Sequence, residues 1–243
     1  MRTSPIVLGL ALAACGGSPG PKAASPSGGA AAAVTIATVE QTVPAGEDLG
    51  EAQVRLPFVT VPGNATASAA INAALGVPNT EAALAAVTAL GEVGLDYQVG
   101  YNRDGLLDLT IVHETMGAYP DSYADHFLFD VATGKALKAA DLLQAAQLPA
   151  LAAALDQRLQ AELTAARQSN PDCVTEDDDP YHGEFTVASL DTIGLSEAGV
   201  VFTYDYDFPH VIQACEPAGV FTLTLAELKP YVRPDGALAA LAR

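Results

Sequence analysis

Tryptophan is absent from this chain of 243 residues, methionine occurs twice, and Lys and Arg together number 11 against 29 Asp and Glu. That shortage of basic residues excludes one class of partner. Phosphate binding needs clustered Lys and Arg, and these are few and scattered, so nucleic acid is not expected. The net charge of −18 suits solubility and is compatible with a cationic partner without requiring one. Catalytic signatures are missing too. His113-Glu114 opens like a zinc-protease helix, but HETMG has no second His, and Gly194-Leu195-Ser196-Glu197-Ala198-Gly199 has the wrong spacing for a Gly-x-Ser-x-Gly elbow. No Cys-x-x-Cys marks a redox centre. We therefore expect no cofactor, no metal and no enzyme activity.

What is present begins with an address. Arg2 supplies a minimal positive start, and the apolar run Pro5 to Leu12 falls short of the roughly 20 residues that span a bilayer. Residues 1–14 read as a signal peptide. Leu12-Ala13-Ala14-Cys15 resembles the bacterial lipobox, in which Cys15 becomes the lipid-bearing first residue. Its removal of Arg2 would take the net charge from −18 to −19. Gly16, rather than Asp, follows Cys15, which by resemblance to Gram-negative lipoproteins implies the outer membrane, facing the periplasm or the cell surface. Residues 15–33, which after Cys15 are Gly, Ser, Pro and Ala with one Lys, read as a disordered tether.

Residues 34–243 are expected to form a single α+β domain, antiparallel hairpins with helices packed on one face. Val34 to Val43 and Gln53 to Val61 alternate as strands, Pro57 marking an edge or bulge. Ala65 to Leu75 and Glu81 to Leu90, the latter capped by Thr80, are helical. Val93 to Tyr101 and Leu106 to Glu114 form a hairpin closed by Asp104-Gly105. Met116 to Asp125 reads as a polar loop before a strand at His126 to Val131. Leu148 to Arg167 is the longest helix, with Leu148, Leu151, Leu155, Leu159 and Leu163 on one stripe. Phe185 to Leu195 and Val200 to Tyr206 read as strands, then Phe221 to Leu225 as a strand and Leu225 to Tyr231 as a short helix.

Four ordered pieces, NRDGLLDLTIVHETMGAYP, FLFDVATGKALKAADLL, LSEAGVVFTYDYDF and AGVFTLTLAELKPYVRPDGALAAL, resemble the domain of unknown function 3298 across residues 116–243 and just before. The preceding LPFVTVPGNATASAAINAAL resembles its usual N-terminal companion, the domain of unknown function 4163, within residues 34–115. Phe129-Asp130 with Thr133-Gly134-Lys135, and Asp141-Leu142-Leu143, carry the match. The family includes the outer domain of a lysozyme-binding anti-sigma factor and the accessory domain of a peptidoglycan deacetylase. The resemblance thus implies an envelope domain that binds something, a basic wall-active protein such as lysozyme among the candidates. The chain lacks the anti-sigma segment and the deacetylase domain, so neither whole function carries over.

With Cys15 lipidated, Cys173 and Cys215 form an even pair in an oxidising compartment, and a disulfide is expected. The acidic run Glu176 to Asp179 lacks the order of a calcium loop and reads as solvated surface. Binding is assigned to loops, since strands hold them and loops recognise. The candidate residues are Tyr119, Tyr123, Asp177, Asp178, Asp179, Tyr181, His182, Phe208, His210 and Glu216, the aromatics as exposed anchors. Two alternatives stand beside the lipid-anchored binding domain: a hydrolase of envelope polymer or ester with an unrecognised carboxylate or histidine site, and a structural lipoprotein of an envelope assembly.

Overall fold

A computed structural model of the chain describes residues 33–45, 50–77, 92–174 and 179–241. The signal peptide and Cys15, most of the tether, the helix expected at Glu81 to Leu90, and Asp177 and Asp178 lie outside these residues. The chain is α+β. A five-stranded sheet in the order β1-β2-β3-β4-β5 comprises β1 (Thr35–Pro44), β2 (Glu51–Thr60), β3 (Glu92–Arg103), β4 (Leu106–Met116) and β5 (Pro120–Asp130). A second sheet, β6-β7-β8, comprises Gly194–Ser196, Gly199–Thr203 and Val220–Leu223.

Neighbouring strands are antiparallel except β2 and β3, which pair in parallel through Gln53–Gly94 and Val54–Leu95 only. The crossover between them contains α1 (Ala65–Ala74), where Asn64 accepts the Ala67 N–H as a cap. Pro57 lies beyond that two-residue ladder, so its missing N–H costs no β2–β3 pairing. The β3–β4 hairpin turns at Asp104 and Gly105, both in the left-handed region at φ 55° and 79°, the geometry that selects Asp-Gly.

Alternation along β4 builds two apolar cores. Leu107, Leu109 and Ile111 join Val54, Leu56, Val59, Ile71 and Phe129 beneath α1. Leu106 and Leu128 face the opposite way, into the core of the second sheet and α3 (Leu148–Ser169). The leucine stripe of α3 behaves as its spacing predicts: Leu151, Leu155, Leu159 and Leu163 are buried there with Phe202, Phe221 and Leu228. The chain closes with α4 (Leu225–Leu228), where Thr224 and Glu227 form a capping box. Between β5 and α3, Asp141 in α2 (Ala139–Leu142) ion-pairs with Lys135.

Two stretches depart from expectation. Met116 to Asp125 is an extension of the β4–β5 hairpin rather than a loop, with the register running unbroken from Leu106–Asp130 to Met116–Pro120. Both faces of its outer half are exposed on β5, so no apolar alternation announces it. Phe185 to Leu195 is not a strand until Gly194; it is coil and a short 3₁₀ helix, because Phe185, Leu190 and Ile193 are each buried separately into the α3 core.

Candidate functional site: an acidic cleft beneath the long hairpin

The β4 face turned toward the second sheet reads Leu106, Asp108, Thr110, Val112. Leu106 at its inner end is apolar and buried, and Asp108 and Thr110 then make the middle of the face polar. The second sheet packs against that end, and the outer hairpin overhangs it, leaving a cleft of about 1060 Å³. One wall is Asp108, Thr110 and Val112 with Asp121 to Ala124 and His126 of β5; the other is Val201, Thr203 to Asp205, Asp207, Phe208, Gln213 and Glu216 to Ala218. Asp108, Asp121, Asp205, Asp207 and Glu216 line it, and no Lys or Arg does among the described residues.

The floor is a hydrogen-bonded chain. The Asp108 carboxylate, 3% exposed, accepts the Leu195 N–H at 2.8 Å and faces His126 Nε2 at 3.0 Å. A carboxylate can only accept, so His126 donates from Nε2, and in the neutral ring its Nδ1 then accepts the Thr110 hydroxyl at 2.9 Å. The approach requires two glycines. A Cβ on Gly194 would collide with His126 Nε2, and one on Gly100, in the β3 bulge, with Asp108 Oδ1 and the Leu195 carbonyl.

The opposite wall carries charge at a cost. Burial, and then the neighbouring Asp205 and Asp207, push the Glu216 carboxyl above its ordinary pKa despite backbone N–H donors from Tyr206 and Phe208. Asp121 goes the other way, its carboxyl held low chiefly by the Gln213 side-chain amide, which donates to it at 3.1 Å across the cleft mouth. Next to that tie, the Tyr119 and His210 rings stack 4.6 Å apart. The hairpin tip is thereby docked on the 3₁₀ turn His210–Cys215. Cys173 and Cys215 are joined, with Cα atoms 6.5 Å apart, so the same turn is fastened to the end of α3.

Behind the hairpin lies a second polar group. Glu92 is 1% exposed, and its Oε1 accepts the Tyr123 hydroxyl and bonds His113 Nδ1, both at 2.7 Å. Tyr123 stacks on His113 at 4.3 Å, and shelter for its hydroxyl beside Glu92 pushes its pKa up to about 12. Asp125 Oδ2 lies 3.2 Å from His113 Nε2 but out of line for a hydrogen bond. No three His, Cys, Asp or Glu side chains converge as a metal would need among the described residues.

Of the residues singled out in sequence, Tyr119, Tyr123, Phe208, His210 and Glu216 gather at or beside this cleft. Tyr181 and Phe208, expected as exposed anchors, are 7% exposed each and pack edge to face at 5.3 Å. They are core residues that brace the loop, and the Tyr181 hydroxyl reaches the Cys215 carbonyl. Asp179 and His182 stand apart: Asp179 pairs with Arg167 at 2.7 Å, and the exposed His182 bonds the Asp179 carbonyl. Asp108, Thr110, His126, Asp121 and Gln213 were not foreseen. One signal did exist. Asp108 is the lone charge within the apolar run Leu106 to Val112.

No protein-family model and no curated protein sequence matches the chain. Solved structures do. One is a member of the domain of unknown function 3298 family from Bacteroides fragilis, 14% identical, with TM-score 0.56 over 84% of this chain and 96% of that one. Another, of the same family from Pseudomonas aeruginosa, is 17% identical with TM-score 0.50 over 83% and 94%. At such identities the likeness is one of fold. The architecture built by this sequence is that of the solved domain of unknown function 3298 proteins.

Proposed function

We propose that this protein is a lipid-anchored binding or sensing domain of the bacterial cell envelope that receives a cationic protein, a lysozyme-like wall enzyme among them, without turning it over. The observation that carries this is the cleft, walled by five carboxylates and by no Lys or Arg among the described residues. Opposed fields of this kind steer association and fix orientation. The Leu12-Ala13-Ala14-Cys15 sequence supports the anchor, and the acidic net charge keeps the domain soluble beside a membrane. Titrating the protein with lysozyme at low salt and at about 0.15 M, where the screening length is roughly 8 Å, tests the proposal. Saturable one-to-one binding that persists at the higher salt supports it; no binding at either salt refutes it.

A second reading, a hydrolase, is favoured by one feature. Thr110, His126 and Asp108 have the hydroxyl, base and orienting carboxylate in hydrogen-bonded order on the cleft floor. Turnover of small esters, abolished by Thr110→Val and by His126→Gln alike, would favour this reading over the first.

A further inference from the structure

Exposed apolar side chains lie on the two segments that meet at the cleft mouth. Met116 and Tyr119 at the hairpin tip are 37% and 59% exposed, and Val211, next to the stacked His210, is 84% exposed. An apolar side chain so open to water has no part in either core. The tip and the turn are nonetheless held in fixed relation by the Tyr119–His210 stack, the Gln213–Asp121 hydrogen bond and the Cys173–Cys215 link. A rigid aromatic and aliphatic cluster costs little ordering entropy when a partner covers it. Acidic groups flank it: Asp121 belongs to the hairpin that carries Met116 and Tyr119, and Asp205, Asp207 and Glu216 belong to the wall that carries Val211.

We propose that Tyr119, Val211 and Met116 form the docking platform for a protein partner whose contact face sets Lys or Arg beside apolar side chains. This rests on the function proposed above and names the surface that would perform it. Charge complementarity with the cleft carboxylates selects the occupant: a second copy of this acidic chain would bring like charge against them and be repelled. The two parts of the surface divide the work. The carboxylates govern the salt-dependent approach, and the apolar platform governs how long the complex lasts, as buried aromatic anchors do at protein interfaces.

The division is testable with charge-neutral variants. Tyr119→Ser and Val211→Ser change no formal charge; Val211→Ser also keeps the Tyr119–His210 stack, whereas in Tyr119→Ser the tip is held by the Gln213–Asp121 bond, and unchanged melting verifies the fold of each. Two probes are titrated onto the full chain: lysozyme, which offers basic and apolar side chains together, and a polylysine peptide, which offers charge alone. The expected result is an affinity for lysozyme lowered about tenfold or more in each variant through faster dissociation, with polylysine binding unchanged. Tyr119→Phe, which keeps the ring and the stack, should bind lysozyme as the native chain does. Equal lysozyme affinity in the native chain and both Ser variants would overturn the platform while leaving the proposed function standing. Failure of the native chain to bind lysozyme at all would overturn both.

Discussion

Replacing Asp108 with Ala should remove the polar joint between the two sheets, and its cost can be worked from the partners left behind. The carboxylate accepts one backbone N–H, from Leu195 in β6, and faces one ring N–H, from His126 in β5, while itself 3% exposed on β4. Truncation leaves the Leu195 donor buried without its acceptor, a loss of about 1 to 3 kcal/mol. His126 is partly exposed and can turn toward water, so its share is smaller, about 1 kcal/mol. The sum, about 2 to 4 kcal/mol, corresponds to a melting temperature lowered by roughly 4 to 16 °C, using about 2 to 4 °C per kcal/mol for a domain of this size. Asp108→Asn keeps an acceptor oxygen for Leu195 and nearly the same shape, so it should cost about 1 kcal/mol. Calorimetry and urea unfolding of both variants provide the measurement. An Ala variant melting within about 1 °C of the native chain would refute the assignment of Asp108 as the joint between the sheets.

Two other outcomes follow from the cleft and its fastening. Because Glu216 titrates above its unfolded value, through burial and the charges of Asp205 and Asp207, its contribution is fully present below the unfolded carboxylate pKa and is lost as pH rises through the folded one. Glu216→Gln should therefore be more stable than the native chain at pH 7, with the difference closing in acid, and it should bind a basic protein more weakly; a variant less stable at pH 7 contradicts the sign. Replacing Cys173 and Cys215 by Ser opens a closure of 42 positions, worth about 4 kcal/mol in the chain-entropy model. Thermal unfolding with and without reductant should show that loss in the native chain and no reductant effect in the double Ser variant; native unfolding indifferent to reductant would remove the link from the account of the cleft.

How far the sequence revealed this structure depended on whether a residue's role was local. Asp104-Gly105 demanded its turn through backbone sterics alone, and the leucines of α3 through spacing, so both were legible. The β4–β5 extension was not, because Met116 to Asp125 buries neither face and carries Tyr, Pro and Asp, the composition of a loop. Parallel pairing of β2 with β3 rests on two residue pairs and leaves no mark in either strand. The site shows the same division. Tyr119, His210 and Glu216 were found as loop residues, whereas Asp108 and His126 are 18 positions apart and meet only because β4 and β5 pair in the register that sets Thr110 opposite His126. Aromatic type alone misassigned Tyr181 and Phe208, since a buried brace and an exposed anchor use the same rings.

The cleft itself follows from where polarity begins on β4. Leu109 and Ile111 continue one face as apolar, so the sheet stays committed to α1 along most of the strand. On the other face only Leu106 is apolar before Asp108, Thr110 and His126 take over, and three short strands suffice to cover the apolar part. Had position 108 been Leu, with Thr110 also apolar, the second sheet would have gained by packing farther out and the cleft would have closed. A buried carboxylate satisfied by the Leu195 backbone instead stops the packing at that point. The overhanging hairpin is then fixed to the opposite wall by its contacts at the far end, the Tyr119–His210 stack and the Gln213–Asp121 bond. Asp108 thus sets the inner limit of the cleft and the disulfide-fastened turn its outer one, so the stability variants and the binding variants probe opposite ends of one structure.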